Sequence, residues 1–135
     1  MLDHGGSNVR IKGIVWLGTR TKRFAEMRDF VVRITGREPW IDQHEFAVFD
    51  LPNGDPIEVF GPQGEAPPFE APVAGFLVDD VDEARAELER AGIAFIGPVA
   101  RAEDGNAWSH FRAPDGNVYE LTSRPDHPAH GESQA

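Results

Sequence analysis

Pro114-Asp115-Gly116-Asn117-Val118-Tyr119-Glu120 holds a tight-turn signal, a short apolar run and one carboxylate within the run, and the chain writes this pattern twice. The other copy, Pro52-Asn53-Gly54-Asp55-Pro56-Ile57-Glu58, lies 62 positions earlier. A period this long points to a duplicated half-domain rather than a solenoid unit. Each copy also sets a glutamate among apolar residues, where an ionised side chain is costly unless it is partnered.

The duplication extends upstream. Gly13-Ile14-Val15-Trp16-Leu17-Gly18 precedes an amphipathic stretch ending at Gly36, and Val73-Ala74-Gly75-Phe76-Leu77-Val78 precedes a similar stretch ending at Gly92. Both halves read strand, helix, strand, strand, strand. In the second helix Asp80 is placed to cap, Glu83 follows three residues on as in a capping box, and Val81, Ala84, Leu88 and Ala91 recur at helical spacing. The first helix aligns Phe24, Met27, Val31 and Ile34 on one stripe, read as core, with Trp16 packed under it. Strand signals cover 46–51, 57–60, 73–78, 94–96, 107–112 and 118–122, each bounded by Gly, Pro, Asn or Asp.

These patterns predict an α+β domain of two βαβββ modules. The organisation reads as an N-terminal tail at 1–9, a first module at 10–61, a Pro-rich linker at 62–72, a second module at 73–124 and a polar, mobile tail at 125–135. A chain of 135 residues is one domain of ordinary size. It has no cysteine, which excludes disulfides, thiolate metal sites and cysteine nucleophiles. The formal charge of −10 disfavours nucleic-acid phosphates and anionic membrane surfaces, although eight of the thirteen basic residues cluster between Arg10 and Arg37. With no bilayer-length apolar run and no signal-peptide pattern at the N-terminus, the expected location is cytoplasmic. No phosphate loop, dinucleotide fingerprint or nucleophile elbow is present, and Ser109 and His110, adjacent in a strand, face opposite ways.

Strand alternation assembles the candidate site. If the Pro114 turn pairs Ala113 with Asn117, then Arg112 opposes Val118, His110 opposes Glu120 and Trp108 opposes Thr122. The same construction puts Glu58 and Phe60 on one face with Val48 and Asp50. A sheet with helices on one side and carboxylates, a histidine, an arginine and aromatics on the other reads as a cup for a small organic molecule. Arg112 beside Asp50 is either a structural ion pair or a clamp for a ligand carboxylate or phosphate, and Trp108 is a cup wall. His44 precedes the third strand, and His4, His127 and His130 fall in the tails. A carboxylate next to His110 is expected to hold the imidazole protonated to higher pH than a free histidine.

The doubled strand-helix-three-strand pattern, the Val78-Asp79-Asp80-Val81-Asp82 entry to the second helix, the Phe30 to Gly36 spacing and the Pro-Asp-Gly-Asn-Val-Tyr-Glu-Leu run resemble the vicinal oxygen chelate superfamily of glyoxalases, bleomycin-resistance proteins and dioxygenases. The resemblance covers about residues 10–124. It implies an open, cup-shaped mixed sheet, a half-barrel with helices outside, and a homodimer. It also implies a divalent metal held by a first-strand ligand and a last-strand glutamate of each module, acting as a Lewis acid. Both glutamates, Glu58 and Glu120, are kept. The first-strand positions match Gly13 and Val73, neither of which has a ligating side chain. Glu58, Glu120 and His110 still supply two carboxylates and a nitrogen, a set suited to Zn, Fe, Mn or Ni; the alternative is a hydrogen-bonded His110–Glu120 pair with no ion. Two functions follow. One is a lyase, isomerase or dioxygenase in which Glu120 or Glu58 acts as ligand or base and His110 assists. The other is a metal-free protein that sequesters a ligand or antibiotic.

Overall fold

The computed structural model describes residues 9–62 and 72–132. Most of the interval read as a linker, and the ends of both tails, lie outside the described residues. The order of elements is β1 (Ile14–Arg20), α1 (Phe24–Thr35), β2 (Ile41–Gln43), β3 (Phe46–Asp50), β4 (Pro56–Phe60), β5 (Val73–Leu77), α2 (Val81–Arg90), β6 (Phe95–Arg101), β7 (Ala107–Arg112) and β8 (Val118–Ser123). This is the doubled βαβββ pattern of an α+β fold. The short β2 falls in a stretch that the strand signals leave unassigned. β6 runs five residues past its expected end because a bulge between Ile96 and Ala100 absorbs Gly97 and Pro98.

The chain forms two compact units. One spans Val15–Ala74; the other joins the described residues up to Ile14 to those from Gly75 onward. In the latter unit Lys12 N–H donates to Leu77 O (2.9 Å) and Leu77 N–H to Gly13 O (2.8 Å).

In the first module β1 runs parallel to β4, which pairs antiparallel with β3, and β3 with β2. α1 covers one face, burying Val31 against Ala47, Phe49 and Val59, with Phe24, Met27, Val32 and Ile57 packed around them. Ile34, expected in that stripe, is 61% exposed. Arg28 on the opposite flank ion-pairs with Asp42 of β2. α1 ends at Gly36 in the left-handed conformation (φ 68°), while its first turn has no side-chain cap.

The second module repeats the plan: β5 parallel to β8, then β7 and β6 antiparallel. α2 is capped as its sequence requires, Asp80 Oδ1 accepting from Glu83 N–H at 3.0 Å. It packs Val81 and Ala84 on Val78, Ala107 and Leu121.

The C-terminal segment, expected to be mobile, is tied down as far as residue 132. Lys12 Nζ donates to Ala129 O (3.1 Å) and Asp79 Oδ2 lies 2.9 Å from the same ammonium. Asp79 Oδ1 accepts from Gly131 N–H at 2.8 Å, and His130 Nδ1 lies 3.8 Å from that oxygen. These contacts hold the Asp79 carboxyl below its ordinary pKa, the Gly131 amide first and Lys12 second. Asp79 therefore contributes stability above its unfolded pKa, and the contribution is lost as pH falls through the lower folded value. Replacing Asp79 with Ala should cost about 1 kcal/mol at pH 7 in urea unfolding and admit protease to residues 125–132. Equal stability and equal protection would refute the latch.

Candidate functional site

The two turns that begin the repeat are built alike. Gly54 and Gly116 take φ of 88° and 89°, which a residue with a Cβ adopts only under strain. Ala113 N–H donates to Asn117 O at 2.8 Å and closes the second turn. The β7–β8 register is the one expected from that closure: Arg112 faces Val118, His110 faces Glu120 and Trp108 faces Thr122. In the first module Val48 faces Glu58, Phe46 faces Phe60 and Asp50 faces Pro56. The Phe46 and Phe60 rings stack with centroids 5.2 Å apart. Because Ala47, Phe49 and Val59 point to α1, the glutamate of this module lies on the face away from its helix.

The two glutamates have different surroundings. Glu120 is 5% exposed, and its Oε1 lies 3.5 Å from Nε2 of His110, itself 7% exposed. Val118 and Thr122 on the same face are buried as well. Burial pushes the His110 pKa down to about 4, the reverse of the expected rise. In a setting this dry the cost of desolvating an imidazolium exceeds what a carboxylate at 3.5 Å returns. Glu58, in contrast, is half-buried, as are Phe46, Phe60 and Trp16.

Trp16 is the residue the sequence reading misplaced. Gly18 pairs with Glu58 in parallel register, and Gly75 pairs with Glu120 in the same way. Two residues before each glycine, on the same face, stand Trp16 and Val73. Register therefore makes Trp16, not Gly13, the counterpart of Val73. The indole does not pack under α1; it lies on the other face, folded back over Gly18, where a Cβ would meet its Cη2 at 2.0 Å. A local turn cannot reveal this, since β1 and β4 meet only through a long crossover. The available signal was the alternation Trp16, Gly18, Arg20 in one strand.

The other sequence-chosen residues are distributed as follows. Arg112 is exposed and donates to Gly116 O at 2.8 Å within its own turn. Asp50 accepts from Trp40 Nε1 at 3.0 Å. Each of these hydrogen bonds lies inside the residue's own module. Trp108 is half-buried on the His110 face, and His44 is exposed in the β2–β3 turn. His127 Nδ1 accepts from Ala129 N–H at 3.0 Å.

A metal of the kind the fold family uses does not fit the donors present. At the first-strand positions Trp16 and Val73 offer no ligating atom, and among the described residues no group of three or more His, Cys, Asp or Glu side chains is arranged to hold an ion.

The sequence profile of the Glyoxalase/Bleomycin resistance protein/Dioxygenase superfamily matches residues 13–121. The chain belongs to this superfamily. Among solved structures it is similar to the Mn(II)-bound glyoxalase from Novosphingobium aromaticivorans, at TM-score 0.68 and 21% identity over 93% of this chain and 43% of that one. It is also similar to the Streptomyces coelicolor methylmalonyl-CoA epimerase in complex with 2-nitronate-propionyl-CoA, at TM-score 0.61 and 15% identity over 86% of this chain and 99% of that one. A third likeness, at TM-score 0.62 and 17% identity over 80% and 96% of the two chains, is to the NAD-dependent benzaldehyde dehydrogenase from Legionella pneumophila. No curated protein matches the sequence. Three differently named activities at such identities carry the fold to this superfamily member and none of the chemistry. Among its described residues no helix is long and apolar enough to cross a membrane.

Proposed function

We propose that this superfamily member is a small-molecule binding protein whose ligand lies on the first-module face around Glu58 and is held without a metal ion. The observation that carries this reading is the contrast between the two glutamates. Glu58 is half-buried among half-buried aromatics, whereas Glu120 is 5% exposed opposite His110. Binding sites for small organic molecules combine apolar and aromatic walls with a few polar groups, and the first face offers both together with access. The donorless first-strand positions support the metal-free form.

A second reading makes His110 and Glu120 a catalytic acid–base pair. It is supported by an imidazole held neutral with Nε2 3.5 Å from a carboxylate, a state able to accept a proton. The same burial keeps the pair from direct contact with a ligand arriving from solvent.

The test is a protein preparation made without added metal or chelator. Elemental analysis should give far less than one equivalent of any divalent metal. A mixture of small organic fragments should perturb the backbone amide NMR signals of Val48, Glu58 and Phe60, and EDTA should leave those shifts unchanged. Stoichiometric metal, or fragment shifts confined to other parts of the chain, would overturn the reading.

A further inference from the structure

The two modules close their last hairpins with one turn written in opposite order: Asn53-Gly54-Asp55 in the first, Asp115-Gly116-Asn117 in the second. Asp55 N–H donates to Asn53 Oδ1 at 3.0 Å, and Asn117 N–H donates to Asp115 Oδ1 at 3.0 Å. Across each glycine a side-chain amide donates to a carboxyl oxygen, Asn53 Nδ2 to Asp55 Oδ2 at 2.9 Å and Asn117 Nδ2 to Asp115 Oδ2 at 3.1 Å. The bond is the same and its direction is reversed. Only in the first module does the amide stand before the glycine.

That order decides the chemistry open to the turn. A side-chain amide is within reach of the next backbone nitrogen, and glycine has no side chain to shield that nitrogen. The other asparagines, Asn8, Asn106 and Asn117, precede Val9, Ala107 and Val118. Asn53 is exposed, whereas the nitrogen that Asn117 would need belongs to the buried, β-branched Val118. Asp104 and Asp115 also precede glycine, but a carboxyl would lose water rather than ammonia and would end as the group it began.

We infer that Asn53 is a self-modification site, converted to aspartate and isoaspartate through a cyclic imide, and that the conversion loosens the β3–β4 turn one way. Gly54 N gives up its proton and bonds to Asn53 Cγ; the Cγ–Nδ2 bond breaks, and the side-chain nitrogen takes up a proton and leaves as ammonia. Water then opens the ring at either carbonyl, and no group is oxidised or reduced. In the closed turn Gly54 N–H donates to Leu51 O at 2.8 Å, and both polar atoms of the Asn53 amide are held by Asp55. The step therefore runs through an open turn. Its product puts an oxygen where the donor to Asp55 stood, so two carboxyl groups face each other and the hydrogen bond is gone. The affected hairpin is the one that pairs Val48 with Glu58. The second module, by its reversed order, is spared.

The full chain, aged at neutral pH in heavy-oxygen water and mapped by peptide mass spectrometry, should exchange an amide nitrogen for labelled oxygen at residue 53 before it does so at Asn106 or Asn117. Urea sufficient to unfold the chain should raise the rate at Asn53 at least about tenfold, because the turn then no longer holds the reacting groups. Asn53→Asp carries the product's side chain and should shift the unfolding equilibrium about fivefold toward the unfolded state. The double exchange of Asn53→Asp with Asp55→Asn writes the second module's order into the first, and should recover most of that loss. Earlier conversion at Asn106 or Asn117, or no conversion of Asn53 even in urea, would overturn the site. An equal rate in the folded and unfolded chain would overturn the protection by the closed turn. An Asn53→Asp chain as stable as the parent, or a double exchange as unstable as the single one, would overturn the loosening.

Discussion

Acidification from pH 7 to pH 4 is expected to cost the fold about 3 kcal/mol through His110 alone. The imidazole titrates at about 4 in the folded chain, against 6.5 for the ordinary residue, because burial penalises the charged form. Between these values the unfolded chain carries a proton that the folded chain refuses. The contribution is therefore complete above pH 6.5, falls as pH drops through that value, and levels off below about 4. The side chain is 9% exposed, so solvent screens little of it. Urea unfolding at a series of pH values should show the slope, and His110→Gln should flatten it across the same window. Asp79 acts at lower pH and would leave its mark below that range. A His110 NMR titration with a midpoint above 6.5, or identical slopes in parent and variant, would show that Glu120 rather than burial controls the imidazole.

Phe49→Ala should be more damaging still, at about 3–5 kcal/mol. The ring is 0% exposed and lies in the cluster with Val31, Ala47 and Val59 that joins α1 to its sheet, so truncation leaves a cavity that the surrounding strands cannot close. Ile34→Ala in the same module should stay within about 0.5 kcal/mol, because that side chain is 61% exposed. Comparable losses from the two substitutions would mean that α1 is rotated on the sheet away from the orientation that buries Val31.

The Ile34 case shows where periodicity stops being informative. A helical stripe about 100° wide fixes a face, but its edges depend on which way the helix leans, and here the packed cluster takes Phe24, Met27, Val31 and Val32 and leaves Ile34 out. The C-terminal segment is a similar case. Its polar composition reads as mobile, and only the meeting of Lys12, Asp79 and Gly131, far apart in the chain, holds it.

By itself the sequence determined the doubled βαβββ plan, the cap at Asp80, the stop at Gly36 and the pairing of His110 with Glu120. All of these depend on neighbours within a few residues or on a turn whose geometry glycine imposes, and local chemistry is legible locally. Tertiary structure alone decided the rest: that Trp16 lies over Gly18 on the face that carries Glu58, and that His110 is neutral. The first depends on a parallel crossover that joins β1 to β4 across the intervening helix and two strands. The last depends on desolvation, which is set by everything packed around a group, so a charged neighbour visible in the sequence could not give even its sign.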